Sequence, residues 1–525
     1  MEWNHNSMNR PDKSRTEKVI QNSFVSVIYT ILSVILAFVM RSVFIRTLGV
    51  EYNGISGLFT SILTVLSLSE LGFSTAIATA LYLPIRTKDQ KQIQKLMYFY
   101  KVAYRIVAIV VSVAGLICVP FLDYLVTGVP NISEDLRLIF LLYVAKTSAS
   151  YLMIYKSTLL QADQKIYIEK VIGIVCLFVR YLIEIIILII YKQFLAYLVI
   201  EVLATIAQNF IVSMRAEKEY PWAFKTPETK LSKPETKKLL LDVKGLAMYQ
   251  ISSSVAGSVD NVLISYYINT VLVGFLSNYI LIKNQIQALI TQVFSAIMPS
   301  VGSVAAENDN QKQYKLYNNL FYVSFLLANF CSVSMFVLFN PFIKLWLGED
   351  YVLGEKVAFV IAFDFFLFIF VRIVAVFRNA NGLFLQGQYR PVATTIVNII
   401  LSVVLIRHYG IAGTIFATNL ARLLTQWFDI YIINKYVFRK KFALLYMKYW
   451  LYIMAFLGMC IVTRYISRII SFDNGFIDLL VKGGVCLFIP NTIVLLTCKL
   501  DEFAYVKHLG RAVLKRKNRK IQEDS

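Results

Sequence analysis

Long apolar runs separated by short polar stretches dominate this chain. "SVIYTILSVILAFVM", "IVAIVVSVAGLICVPFL" and "YLIEIIILIIY" have the length and purity of bilayer-spanning helices, which need roughly 20 residues each. The pattern predicts helices over 20–46, 54–83, 97–122, 137–160, 166–191, 194–213, 245–268, 271–300, 316–346, 356–379, 391–409, 411–434, 446–468 and 475–498. The expected fold is therefore an all-α polytopic membrane protein of about 14 transmembrane helices.

Several polar phrases occur twice in the same order. "VPFLDYLVTG" at Val119 rhymes with "NPFIKLWLGED" at Asn340, and their prolines, Pro120 and Pro341, lie about 221 positions apart. "DQKQIQKL" at Asp89 is echoed by "DNQKQYKL" at Asp309, Gly54 by Gly274, and "LQADQK" at Leu160 by "LQGQYR" at Leu385. An offset near 220 residues carries the first span onto the seventh. Six helices lie between equivalents, so both copies enter the membrane in one direction. This predicts two six-helix lobes in a parallel pseudo-two-fold repeat, with two extra helices after them. Transporters built in this way bind substrate between their halves and rock them alternately open.

Charge orients the spans. Segments assigned to the cytoplasm hold roughly 37 Lys and Arg, against roughly 7 on the other side, so both termini are expected inside. The expected organisation is a cytoplasmic N-terminus (1–19), a first lobe (20–213), a lysine-rich cytoplasmic linker (214–244) and a second lobe (245–434). Two further spans (435–498) and a basic cytoplasmic tail (499–525) complete it.

The composition, 58% hydrophobic and 16% charged, excludes a soluble domain. A net charge of +21 does not imply nucleic acid, because the cations gather in alternate loops. The six cysteines lie in or beside apolar runs without a CxxC pair, and His5, His408 and His508 are scattered. No metal, disulfide or cofactor is expected. The first 20 residues are polar and lack a cleavage-site pattern, so the first span is expected to stay uncleaved.

Charged groups at mid-membrane cost about 2.5–3.5 kcal/mol each on insertion scales and normally face a cavity or a partner. Arg41, Arg105, Lys146, Arg180, Lys283, Lys344, Arg372, Arg422 and Lys482 fall within spans, as do Glu70, Glu184, Glu201, Asp260, Asp364 and Asp429. Arg180 and Glu184, four apart, are expected to pair. Lys344 and Lys482 lie near helix ends and are expected to snorkel. Ser26, Thr30, Ser33, Ala37 and Arg41 form a small, polar stripe, and "SSSVAGSVDN" gathers Ser252, Ser253, Ser254, Asp260 and Asn261 on the repeat-equivalent span. Tight helix packing accounts for the small residues. It does not account for Arg41 and Asp260, which point to a water-filled cavity. Counting along antiparallel spans puts Asp260 level with Lys283 and predicts a salt bridge; similar counting brings Glu70 near Arg105. Arg41, Lys283, Arg372, Arg422 and Asn261 are thus candidate substrate contacts, with Asp260 and Glu70 as ion-coupling candidates for a proton or sodium.

"RTLGVEYNGISGL", followed by "SELGFSTAIATALY", resembles the first helical hairpin of Wzx-type oligosaccharide flippases, within the multidrug/oligosaccharidyl-lipid/polysaccharide (MOP) exporter superfamily. "NIILSVVLIRHYGIAGTIFATNLA" resembles that family's eleventh-to-twelfth span passage. The resemblance covers nearly the whole chain. It implies translocation of an undecaprenyl-diphosphate-linked oligosaccharide across the bacterial cytoplasmic membrane for cell-surface polysaccharide biosynthesis. It also implies a cationic central cavity and alternating access. Arginines suit a diphosphate, which is met by planar, bidentate donors.

Alternatives are an exporter of another cargo in the same superfamily (drug/cation or lipid II-type) and a membrane polysaccharide polymerase. "MRSVFIRTLG" departs from the "SRxLGxxRD"-like signature of lipid II flippases, and the cation excess departs from drug antiporters. No large outer loop, loop DxD or GxxxxGK[ST] occurs, so enzymatic activity and ATP hydrolysis are not expected. The expected partners are the lipid-linked oligosaccharide, membrane lipids and a polymerase or other assembly protein.

Overall fold

The computed structural model describes residues 15–67, 73–128, 132–307, 309–497, 502–505 and 507. These contain helices and connecting turns and no strand. The chain divides into two compact units, Met1–Ser254 and Val255–Ser525.

Unit 1 contains α1 (Arg15–Leu48), α2 (Val50–Leu66), α3 (Phe73–Thr87), α4 (Gln90–Cys118), a single turn α5 (Leu122–Leu125), α6 (Leu136–Ala162), α7 (Ile166–Tyr191) and α8 (Phe194–Glu219). The polar stripe of α1 is half-buried, whereas Phe24, Ile31 and Ile35 around it are exposed, as a lipid-facing surface requires. The stripe's hydroxyls bond along their own helix: Thr30 donates to the Ser26 carbonyl and Ser33 to the Thr30 carbonyl, both at 2.9 Å. In this way hydroxyls become compatible with an apolar medium. α1 packs on α7, and α6 lies against both α4 and α8.

The lysine-rich stretch is mostly helix. α8 continues to Glu219 and α9 (Lys233–Tyr267) starts at Lys233, which leaves 220–232 as the connection. That connection is fastened to unit 1. Trp222, Phe224 and Leu231 pack on the α3–α4–α6 core, and the Gln94 amide donates to the Trp222 carbonyl at 2.7 Å. Ser232 and Glu235 form a reciprocal capping box that starts α9.

The boundary falls within α9, and unit 2 runs from there through α10 (Thr270–Ala306), α11 (Asn310–Trp346), α12 (Glu355–Phe370), α13 (Arg372–Ala380), the short α14 (Phe384–Gly387), α15 (Tyr389–Ile433), α16 (Phe442–Ile469), α17 (Gly475–Phe488) and the short α18 (Thr492–Leu496). α15 is too long to be one span, and Gly410 breaks it at φ 57°, ψ −139°. A Cβ on Gly413 would come within 2.3 Å of the Leu405 carbonyl, so the turn excludes larger residues there. Hydrogen bonds between Thr394 and Thr425 (2.7 Å) and between Asn398 and Thr418 (2.8 Å) show that the two halves run antiparallel. They are two spans joined by a tight hairpin, divided where the sequence predicts.

The repeat is visible in matching element starts. Asp89 caps α4 by accepting from the Gln92 N–H, and Asp309 caps α11 by accepting from Gln311 and Lys312. Gly54 and Gly274 are each the fifth residue of their helices, α2 and α10. The covering differs between units. α16 and α17 pack on α11, and the apolar stretches of α11 and of α12–α13 are 61% and 78% buried, against 28% for α4–α5 and 33% for α6.

Eleven stretches among the described residues are long and apolar enough to cross a membrane, and Tyr389–Phe438 among them is the hairpin. This is a multi-pass helical membrane protein. The expected span 54–83 is divided into α2 and α3, and the expected seventh lies in the more polar α9, so length and composition alone do not fix the total of about 14.

Candidate functional site

In unit 2, four elements bring charge together at mid-span. Lys283 of α10 reaches the Asp364 carboxylate of α12 at 3.0 Å, and Arg422 from the second half of α15 reaches its other oxygen at 2.5 Å. α12 ends at Phe370 and α13 restarts at Arg372, whose guanidinium lies over the Phe368 ring at 5.6 Å. Arg422 approaches the same ring at 5.9 Å. The aromatic face thus collects two guanidinium groups that would otherwise repel, an arrangement favoured by the ring quadrupole. Asp364 is nearly enclosed, whereas the Arg422 and Lys283 side chains keep 29% and 15% exposure.

Asp260 of α9 stands beside this group with different partners. Thr418 donates to one carboxylate oxygen at 3.0 Å and Ser402 to the other at 3.3 Å. Asn398 donates to Thr418 at 2.8 Å and to Ser402 at 3.3 Å, while its own Oδ1 is buried without a hydrogen bond. Asn261, the neighbour of Asp260 on α9, is half-buried. The expected Asp260–Lys283 bridge does not form. Both belong to one electrostatic neighbourhood, but Asp364 takes the lysine. Depth counting gave the level of these residues; it could not give the azimuth that lets α12 intervene.

Unit 1 carries a second group. Lys146 of α6 bridges to Glu201 of α8 at 2.6 Å, and Arg180 of α7 lies 3.3 Å from Glu184 and 3.9 Å from Glu201. The predicted Arg180–Glu184 pair is therefore present, although both Glu184 oxygens lack a well-aligned hydrogen bond. Arg41 donates to the Asn53 amide on α2, with Tyr143, Tyr181 and Tyr197 within electrostatic reach.

Other expectations fare variously. Glu70 lies outside the described residues, and Arg105 is exposed. Ser252, Ser253 and Ser254 lie outside the residues whose side chains are described. Lys344 pairs with Glu349 at 2.9 Å and Lys482 with Asp478 at 2.6 Å.

Sequence reasoning missed the latches at the span ends assigned to the cytoplasm. Lys165 reaches Glu219 at 2.7 Å and Asp163 at 3.0 Å, while Tyr220 donates to Asp163. Burial, with Asp163 alongside, pushes the Tyr220 hydroxyl above its usual range, so it remains a donor. In unit 2, Asp429 holds Arg378 at 2.9 Å and Arg390 at 2.8 Å. Lys165 and Arg390 close the repeated phrases "LQADQK" and "LQGQYR", a signal that was available in the sequence.

The architecture matches solved membrane transporters of the MOP superfamily. An inward-facing multidrug-resistance MATE transporter aligns at TM-score 0.61 and 13% identity, covering 79% of this chain and 98% of that one. The lipid II flippase MurJ, in an inward closed conformation, aligns at 0.61 and 13%, covering 90% and 98%. A point mutant of the Vibrio cholerae MATE transporter VcmN aligns at 0.57 and 12%, covering 81% and 98%. At these identities the likeness defines the fold: a MOP-type transporter scaffold. Residues 19–305 match the family described as "Polysaccharide biosynthesis protein", and the chain belongs to that family. No curated protein matches the sequence.

Proposed function

We propose that this protein is a flippase that carries an undecaprenyl-diphosphate-linked oligosaccharide across the cytoplasmic membrane by alternating access, with both termini in the cytoplasm. The observation that carries this reading is the group formed by Lys283, Arg372 and Arg422 at mid-span: Lys283 and Arg422 share the single carboxylate of Asp364, and Arg372 lies over the Phe368 ring. Arg372 has no carboxylate within ion-pair distance among the described residues. Such a surplus is costly in a bilayer unless an anion visits it, and a diphosphate headgroup matches guanidinium donors. Membership of a polysaccharide biosynthesis family supports a glycan on that headgroup. Arg41, half-buried in unit 1, and Asn261 are proposed as further contacts.

Asp260 is proposed to bind the coupling cation. Its carboxylate and the Thr418 and Ser402 hydroxyls gather the hard oxygen donors that suit sodium. Asp260→Asn should abolish sodium dependence of transport; unchanged dependence removes the assignment.

Complementation of a flippase-null strain, with mass analysis of the stalled lipid-linked glycan, tests the function. Restored surface polysaccharide and clearance of the stalled intermediate are expected. Persistence of that intermediate with normal membrane insertion, across strains of differing glycan, refutes it.

A further inference from the structure

Resting on that reading, we infer that Asp364 is a resident stand-in for the cargo's phosphate: it holds Lys283 and Arg422 in the empty protein and yields them when the anionic headgroup arrives. A carboxylate spanning two cations can be purely structural, and unit 2 supplies the contrasting case. Asp429 also spans two cations, Arg378 and Arg390, but those side chains are 3% and 14% exposed and are further tied to Asn379 and Gln426. That group is sealed.

The Asp364 group has the same ratio of charges and a different setting. Arg422, at 29% exposure, presents part of its fork outward, and the exposed portion is free to meet a second anion. Beside it, Arg372 is held by a ring face, with no carboxylate at ion-pair distance among the described residues, and so is left for an incoming phosphate. The three cations come from α10, α13 and the second half of α15, so one bound phosphate would tie together three helices, two of which Asp364 now ties from α12. Exchange of one anion for another at fixed donors keeps the cations from ever being buried unpaired, the costliest state open to them. An internal competitor also limits how tightly cargo is held, and so favours release.

The test uses the purified full chain with farnesyl diphosphate as probe, together with transport in cells. Wild type should bind the probe, and Asp364→Asn should bind it roughly tenfold more tightly, because the probe no longer displaces a charge-assisted bond. In cells the same variant should saturate at lower cargo and turn over more slowly. Should Asp364→Asn not fold, the charge-balanced pair Lys283→Gln/Asp364→Asn decides: it should bind more tightly than Lys283→Gln alone. Wild-type binding with equal or weaker binding by the Asp364 variants shows a structural counter-ion and overturns the inference while leaving the flippase reading standing. Absence of probe binding in wild type and variants alike overturns the anionic-headgroup reading itself.

Discussion

In unit 1 the mid-span bridge runs from Lys146 on α6 to Glu201 on α8. In unit 2 it runs from Asp364 on α12 to Arg422 on α15, at positions offset by about 220 residues, as the repeat requires. The contact is duplicated and its polarity is reversed. The latches behave differently. Lys165 to Glu219 and Arg390 to Asp429 keep the cation where one span begins and the acid near the end of the span after it. Topology explains the contrast. A cation in a cytoplasmic loop helps to orient the chain, so its sign is constrained, whereas a bridge within the bilayer needs only opposite charges. Three cations, Arg41, Lys146 and Arg180, accompany Glu184 and Glu201 in unit 1; Lys283, Arg372 and Arg422 accompany Asp260 and Asp364 in unit 2. The balance of charge survives even though its placement does not.

The latches should respond most unequally. Asp429→Ala leaves two arginines, 3% and 14% exposed, without their acid, and removing one side of such a buried pair costs about 3–5 kcal/mol. Glu219→Gln leaves Lys165, at 21% exposure, with Asp163, and should cost less than about 1 kcal/mol. Thermal unfolding in nanodiscs should show a severe loss for the first and a small shift for the second. Equal losses would mean that the two latches are sealed alike.

Within the charge groups, Arg372→Ala should lower export by about 10- to 100-fold without altering insertion, the scale of one or two lost charge-assisted bonds. Arg372→Lys should recover part of it, since lysine has no fork. Arg41→Ala should also reduce export, though less, because Arg41 is already engaged with Asn53 in the empty protein. Radiolabelled glycan reaching the outer leaflet gives the ratio. Wild-type export in both alanine variants would remove these residues from the transport path.

The reversed bridges permit a sharper test. Exchanging charges in unit 1, Lys146→Glu with Glu201→Lys, should restore much of the stability that either change loses alone, with a coupling within about 0.5–3 kcal/mol. The exchange Asp364→Lys with Arg422→Glu should recover less, because Lys283 leans on Asp364 at 3.0 Å, whereas Arg180, 3.9 Å from Glu201, keeps Glu184. A double-mutant cycle in each unit measures this. Equal rescue in both would show Lys283 to be a bystander.

The sequence foretold most of the long helices because a bilayer imposes length and apolarity, and these are local properties, although it ran α2 and α3 together as one span. It foretold the α15 hairpin at Gly410 because only glycine adopts that turn at no steric cost. The cation groups were legible as types and depths; their partners were not. Asp260 and Lys283 share a level, but position around a helix axis depends on packing that spacing does not encode, and Asp364 sits between them in effect. The offset pairs Lys146 with Asp364 and Glu201 with Arg422, which would have exposed the shared bridge had charge been ignored in aligning the copies. The latches were hidden for another reason: Asp429 reads as one more acid within a span until the hairpin brings Arg390 to it.

The smallest expected difference lies in the caps that begin the repeated spans. Asp89 accepts one backbone N–H at the start of α4, and Asp309 accepts two at the start of α11. Each satisfies donors that the first helical turn leaves free, and each replacement by alanine should cost about 1 kcal/mol. Asp309→Ala should be the worse of the two by a few tenths, since it frees a second donor, and because α11 is the more deeply packed helix its fraying disturbs more neighbours. Hydrogen exchange over the first turn of each helix reads this locally, where whole-protein melting would not. Faster exchange at residues 310–313 in the one variant than at 90–93 in the other is expected. The opposite order would mean that the connection, tied to Gln94 through the Trp222 carbonyl, rather than the cap, governs the start of α4.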